Sequence, residues 1–405
     1  METTAEIAPA RSGRRELVTR WLRWGLLAAV AAGIPLDGLL AVTFGSSSLA
    51  LGVPLVVAAV WTVVASGRVR ALPAPLVALA AFTAWSAASV LWAVDGDEFA
   101  KRLLTNAQLL ALVLVCWQVL HSDRELRALL TGFVAGCLVT VALAWQAFLR
   151  GEALVDGGTR YTAKGIDAND MSVTLAVAIP MAAYLALTGA RVRSRAAFLY
   201  VPFAASAIAL SGSRGGTLTA ATALASVLIW TARRSGAATA AATLLAVVAV
   251  AGAWALVPEE NFTRIFTVQE QLRGGGTMGD RVQIWHAGLD LLARHPLAGV
   301  GAGGFSKAIS AALNARTVAH NTPLSIAVEH GIIGLVIFGS ALVLVLRHAA
   351  RADPPERALA WSLVVTWCVG SASLTWEYRK TTWLVILMGA ALGVLRQRRG
   401  EAKPG

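Results

Sequence analysis

Three stretches of the chain hold residue types that could act together on a substrate. The first is Ser211-Gly212-Ser213-Arg214-Gly215-Gly216. Glycines let backbones approach closely and expose N–H groups, a favourable setting for an anion. Arg214 supplies a planar fork that matches phosphate oxygens. Spacing alone leaves a plainer alternative, an interfacial Arg reaching back to water. The second is Ala319-His320-Asn321-Thr322-Pro323. Thr322 is a good N-cap and Pro323 a good first helical residue, so a helix starts here. The positive end of its dipole disfavours imidazolium, so His320 should stay neutral near pH 7 and be able to accept a proton. Asn321 caps or orients. The third is Arg281 in Gly279-Asp280-Arg281, which on its own reads as a surface side chain, paired with Asp280 or solvated.

Two further segments supply polar groups. In Arg160-Tyr161-Thr162-Ala163-Lys164-Gly165-Ile166-Asp167-Ala168-Asn169-Asp170, Asp167 or Asn169 could cap the helix that follows. Arg160 and Lys164 could add positive charge to a phosphate site. Glu329 lies seven residues past Thr322, roughly 10 Å deeper along the helix. A carboxylate at that depth needs a partner, either substrate or an Arg of the site. His286, His295, His330 and His348 read as structural. Gly299 to Phe305 has no strand–turn–helix context for a nucleotide loop and reads as a tight turn.

The elements that carry these residues must be membrane helices. The 405 residues are 57% hydrophobic and 14% charged, with mean hydropathy +0.64. A soluble domain carries roughly 25% charged residues. Polar residues cluster between apolar stretches of about 20 residues, the length that spans a bilayer. No signal-peptide cleavage site follows the basic N-terminal flank. The reading is an all-α integral membrane protein of about twelve spans. They fall at roughly 22–36, 46–66, 74–94, 103–120, 126–149, 170–188, 196–213, 215–232, 237–257, 322–346, 358–376 and 381–396. Pro35 and Asp37 interrupt the first. The eighth, rich in Gly, Ala and Thr, suits close helix packing.

Charge sets the orientation. With the N-terminus in the cytoplasm, 21 basic residues fall inside and 8 outside, leaving aside the long loop at about 258–319. Both termini are then cytoplasmic, in the cytoplasmic (inner) membrane. The chain divides into helices 1–257, an extracytoplasmic loop 258–319 and helices with a tail at 320–405. That loop is pictured as a lid on the outer face. It contains an amphipathic helix over Gly279 to Arg294, with Val282, Trp285, Leu289 and Leu292 on one face and Pro296 as its stop.

The net charge of +12 is spread over many short loops, which excludes a nucleic-acid partner. Cys116, Cys137 and Cys368 fall in apolar stretches and form neither a disulfide framework nor a metal spacing. No acidic cluster suited to a divalent metal lies in the outer loops, so no metal and no cofactor is expected.

Together these segments resemble the O-antigen ligase family, with its related polysaccharide polymerases and protein O-oligosaccharyltransferases. The resemblance lies in SGSRGG (211–216), GDRVQIWHAGLDLLARHPLAGVGAGGF (279–305) and AHNTPLSIAVEHGIIGL (319–335). It extends to KGIDANDMSVTLAVAIP (164–180), which has an Ala where the family often has a Pro, and to the placement of one large outer loop before the His-Asn pair. The resemblance implies a membrane glycosyltransferase of GT-C-like architecture. Its donor would be a glycan on a polyprenyl diphosphate (undecaprenyl diphosphate in many bacteria), and its acceptor a glycan, lipid or protein hydroxyl. Arg214 and Arg281 match the family's essential arginines and His320 its essential histidine. Arg160, Lys164, Asn169, Ser213, Asn321 and Glu329 are the candidate substrate-binding residues. A polymerase of the same family is the alternative. A solute transporter of the inorganic-carbon type stands behind both, because its site should lie near the membrane midplane.

Overall fold

A computed structural model describes residues 23–44, 47–153, 160–189, 195–261 and 277–401. The arginines expected at positions 11–20, Arg191, Arg193, Lys403 and the loop stretch 262–276 lie outside these. The described residues are helical and contain no strand.

The helices are α1 (Arg23–Gly33), α2 (Asp37–Phe44), α3 (Ser47–Ser66), α4 (Ala74–Ala88), α5 (Gly96–Val119), α6 (Asp123–Leu149) and α7 (Ala168–Thr188). They continue as α8 (Tyr200–Leu210), α9 (Arg214–Ala232), α10 (Gly236–Leu256), α11 (Thr277–Arg294) and α12 (Phe305–Leu313). The last three are α13 (Thr322–Ala350), α14 (Pro354–Ser371) and α15 (Lys380–Glu401).

Helices cover all twelve apolar segments, but length and hydropathy separate them. Among the described residues, six helices are long and apolar enough to cross a membrane: α4 with the 3-10 turn that extends it, α5, α6, α7, α9 and α13. A seventh span results if α1 and α2 count as one, although they meet at 91°. The bend falls where Pro35 lacks an N–H and its ring blocks the preceding turn. By these criteria the described residues contain six or seven of the twelve expected spans. Apolar stretches in α3, α8, α10 and α15 are shorter, at 10–17 residues. The family of helices is that of a multi-pass membrane protein.

The centre of the bundle is α7, surrounded by α6, α8, α9 and α14. Small residues bring these helices close. A Cβ on Gly216 of α9 would lie 2.2 Å from Ser172 of α7, and one on Gly370 of α14 would lie 2.4 Å from Val173. On α6, Gly132 and Gly136 face the carbonyls of Ala28 and Ala32 in α1 at the same kind of distance. Without water between helices, such backbone approach is what packing in a bilayer rests on.

Helix α13 is broken at Gly331, whose φ of 67° and ψ of −174° no other residue type adopts easily. A break inside lipid would strand backbone groups at several kcal/mol each. Here the glycine-rich turn 299–304 fills it. Val300 and Gly301 N–H donate to the carbonyls of Val328 and Glu329, both at 2.9 Å. Trp85 Nε1 donates to His330 O, and Ile332 N–H donates to Pro296 O. Gly299, Gly301 and Gly303 all have positive φ, and the turn is buried. The tight turn expected in a lid is thus a plug set against α13.

The amphipathic helix is present as α11, with its buried face turned from the one expected. Ile284, Gly288 and Leu291 are buried, while Val282 and Leu289 are exposed. Gly288 lies at this contact, where a Cβ would come 3.1 Å from Leu324 and 3.4 Å from Phe305, so a glycine lets α11 turn this face inward without crowding.

Candidate functional site

The site is built at one end of the bundle, where α7, α9, α11 and α13 begin. Asp167 is the N-cap of α7 and accepts from Asn169 N–H at 2.8 Å and Asp170 N–H at 3.1 Å. Ser213 is the N-cap of α9 and accepts from Gly216 N–H at 3.2 Å. Asn321 is the N-cap of α13 and accepts from Leu324 N–H at 2.9 Å. The cap expected at Thr322 therefore sits one residue earlier. Thr322 is the first helical residue instead, and its hydroxyl donates to Leu374 O while accepting from Trp376 N–H.

Three of the sequence candidates meet in one knot. Ser213 Oγ and Arg160 Nη2 both donate to Asn169 Oδ1 at 2.9 Å, and Arg160 Nε donates to Ser211 O at 2.8 Å. These bonds tie the 160–169 loop onto the 211–216 turn. Lys164, by contrast, is exposed and takes part in none of the described hydrogen bonds or ion pairs. Gly212 has φ of 59°, which turns the chain so that Arg214 opens α9 at this end of the bundle.

His320 is brought to the same end by three contacts. Trp285 Nε1 of α11 donates to Ala319 O at 2.9 Å. His320 N–H donates to Thr375 Oγ1 at 3.1 Å, and Asn321 Nδ2 donates to Ala372 O at 3.3 Å. The residue itself adopts φ of 47°, uncommon for a side-chain-bearing residue and a mark of local constraint. The 372–375 turn that receives these bonds also touches the arginine turn, since a Cβ on Gly215 would lie 2.3 Å from Ser373 Oγ. One turn therefore spaces His320 from Arg214.

Arg281, His320 and Asp167 lie within electrostatic reach of one another. The His320 imidazole titrates below the ordinary histidine range, because burial disfavours its cation and Arg281 repels it, while Asp167 pulls the other way. Burial likewise lowers the Arg281 guanidinium, and Asp167 offsets it. The neutral histidine expected from the helix dipole is found, with burial and Arg281 as its main causes. What the arrangement offers is a neutral imidazole beside a partly desolvated cation, at the mouths of two helix N-termini.

Glu329 is elsewhere. It is buried two turns into α13 and accepts from Gly303 N–H at 2.9 Å and Tyr378 Oη at 2.5 Å. Its partners hold the plug, and none of them is Arg214, Arg281 or His320. Asp170 is similarly occupied, by Trp376 Nε1 at 2.7 Å and by Arg379.

Sequence reasoning missed the second role of Asp167. It saw a cap, and nothing in the spacing says that Arg281, more than a hundred residues away, comes back to it. It also missed Trp285 and Thr375, which position the backbone at His320. Trp285 carried a signal, a polar-tipped aromatic on a lid helix, but its target did not. Among the described residues, no three His, Cys, Asp or Glu side chains come together as a metal-ligating group.

This is a multi-pass helical membrane protein with a cationic, imidazole-bearing site at one end of its bundle. Residues 199–339 match the family model described as O-antigen ligase. That stretch, about a third of the chain, contains Arg214, Arg281 and His320, and it shows the resemblance to the O-antigen ligase family. No curated protein matches the chain.

Proposed function

We propose that the protein is a membrane glycosyltransferase that moves a glycan from a polyprenyl-diphosphate carrier to an acceptor hydroxyl. The observation that carries this reading is the meeting of a neutral His320 with Arg281 beside the arginine-bearing 211–216 turn. His320 takes the proton of the acceptor hydroxyl. The hydroxyl oxygen attacks the anomeric carbon from the face opposite the diphosphate. The bond from that carbon to the diphosphate oxygen breaks, its electron pair leaves with the diphosphate, and the configuration inverts. Arg214 and Arg281 hold the diphosphate and stabilise the charge that grows on it, the part a divalent metal plays in other transferases.

The remaining candidates arrange themselves around this step. Arg160, Asn169 and Ser213 fix the turn that presents Arg214. Asn321 starts α13 and sets the His320 backbone. Lys164 lies on the exposed side of its loop, where it meets the anionic donor first. Glu329 stands apart from this step and holds the plug in the break of α13. Twelve crossings, with the site on the extracytoplasmic face and both termini in the cytoplasm, agree with the charge bias of the loops.

A ligase and a polymerase share this chemistry and differ in acceptor. The test uses cells lacking the protein and cells carrying His320→Ala at normal protein level. Full-length glycan accumulating on the carrier lipid supports a ligase, and single repeat units at the surface support a polymerase. Normal surface glycan in the His320→Ala cells overturns the proposal.

A further inference from the structure

At the end of the bundle away from the site, α9 and α14 diverge and leave a groove of about 930 Å³. One wall is a single face of α9, running from Thr222 through Ser226 and Ile229 to Arg233 and Arg234. The other is a single face of α14, running from Arg357 through Trp361 to Val365. The two walls have the same order of chemistry. Guanidinium groups stand at the helix ends, a tryptophan stands about one turn further in (Trp230 and Trp361), and small or apolar residues follow.

The dimensions fit one leaflet of a bilayer. From Arg234 to Thr222 is 12 residues, about 18 Å of helix. Half of the hydrocarbon core is about 15 Å. Helix α9 itself, 19 residues from Arg214 to Ala232, is about 28 Å long. The groove therefore opens at the opposite membrane surface from Arg214. Ile229, Trp361 and Val365 are 58%, 48% and 39% exposed, so its floor and rim face lipid.

The charges at its mouth call for an anion. Arg233 and Arg234 sit at the carboxyl end of α9, where a cation is favourable and needs no ligand. Arg357 is different. It lies in the first turn of α14, where the positive end of the helix dipole disfavours it. None of the described ion pairs uses Arg233, Arg234 or Arg357. The nearest acidic side chain on α14, Glu356, is turned away to accept from Tyr184 Oη at 3.0 Å. Asp353, which precedes the helix, is not part of the lining.

We infer that this groove binds an anionic glycerophospholipid of the leaflet opposite the site. Its phosphate sits among Arg233, Arg234 and Arg357, and an acyl chain lies in the trough between α9 and α14. Basic pockets between membrane helices take anionic head groups in this way, each Lys or Arg adding to the attraction. The lipid bridges the far ends of α9 and α14, the two helices whose near ends carry Arg214 and the 372–375 turn.

The test is native mass spectrometry of the purified full-length protein, titrated with phosphatidylglycerol or with phosphatidylcholine. At equal lipid, the wild type retains at least about tenfold more of the anionic lipid. Replacing Arg233, Arg234 and Arg357 together by Gln removes the preference. Ala225→Trp, which fills the trough and leaves every charge in place, lowers retention of phosphatidylglycerol to a similar degree. Loss with the arginine variant alone means attraction to a charged surface, and it overturns the groove. Loss with Ala225→Trp alone means an apolar cleft without head-group recognition, and it overturns the anion site. A readout free of variants is the melting temperature of the wild type, which rises with phosphatidylglycerol over phosphatidylcholine by mass action. Equal melting temperatures in the two lipids also overturn the inference.

Discussion

The two ends of one helix segment, Thr322 to Gly331, show two ways of using polar residues in a membrane protein. Just before α13, His320 has an uncommon backbone conformation and a half-buried imidazole, next to a cation that repels its protonated form. At the break, Glu329 and the freed carbonyls of α13 each have a partner inside the protein. The first region places a cation beside an imidazole whose proton affinity burial lowers. The second has used its polar groups to close a hole in a helix. The buried Glu329 carboxylate and the half-buried His320 imidazole are thus different objects, told apart by burial and by their hydrogen bonds.

Substitutions at the two regions should have effects of different kinds. His320→Ala removes the proposed base and is expected to lower transfer by roughly a hundredfold to ten-thousandfold with the protein level unchanged. Radiolabelled glycan chased from its carrier lipid in isolated membranes measures this. Arg281→Ala or Arg214→Ala should cost about a hundredfold to a thousandfold in the same assay. Lys at either position should recover only part of it, because the charge returns without the bidentate fork.

At the break the expected effect is on folding. Gly331→Ala forces a side chain into a positive φ and places Cβ 2.0 Å from Leu297 O. The backbone conformation alone costs about 1–3 kcal/mol. The melting temperature and the amount of folded protein should fall, while turnover per folded molecule changes little.

Two titrations probe smaller terms. Since His320 titrates below its ordinary value, the acid limb of the rate profile should lie below pH 6.5. Asp167→Asn keeps an N-cap for α7 but removes a negative charge that favours the His320 cation. That limb should then move to still lower pH. Glu377, in the turn before α15, is fully buried and pushed up to about 8, first by burial and then by Glu329. It is protonated in the folded protein and ionised in the unfolded chain between about 4.5 and about 8, so its contribution to stability is lost as pH rises across that window. Glu377→Gln should raise the melting temperature at pH 9 relative to the wild type and leave it nearly unchanged at pH 4.

The helices were legible because a bilayer demands long apolar runs, and Arg214 and His320 stood out as candidates because they lie at the polar ends of such runs, whereas Arg281, inside the loop helix, became a candidate only through the family resemblance. The bend in the first span was less legible, since the sequence shows Pro35 but not that α1 and α2 meet at 91°. The face of α11 was misread because Gly288, which counts for little in a hydrophobic pattern, decides the closest approach. The cap of α13 was displaced by one residue because Thr322 is recruited by the 372–376 segment, a contact across more than fifty residues. The plug was hidden for the same reason. Its glycines signalled a turn, but Gly331, the position they serve, lies inside an apolar run that reads as continuous helix.

The contrast between the two regions is tested most directly by measuring turnover per folded molecule for His320→Ala and Gly331→Ala side by side. The assay follows loss of glycan from its polyprenyl-diphosphate carrier, normalised to the protein that elutes as a single folded peak. Full recovery and almost no turnover are expected for His320→Ala, and poor recovery with near-normal turnover for Gly331→Ala. Normal turnover in folded His320→Ala protein would contradict the proposed role of His320.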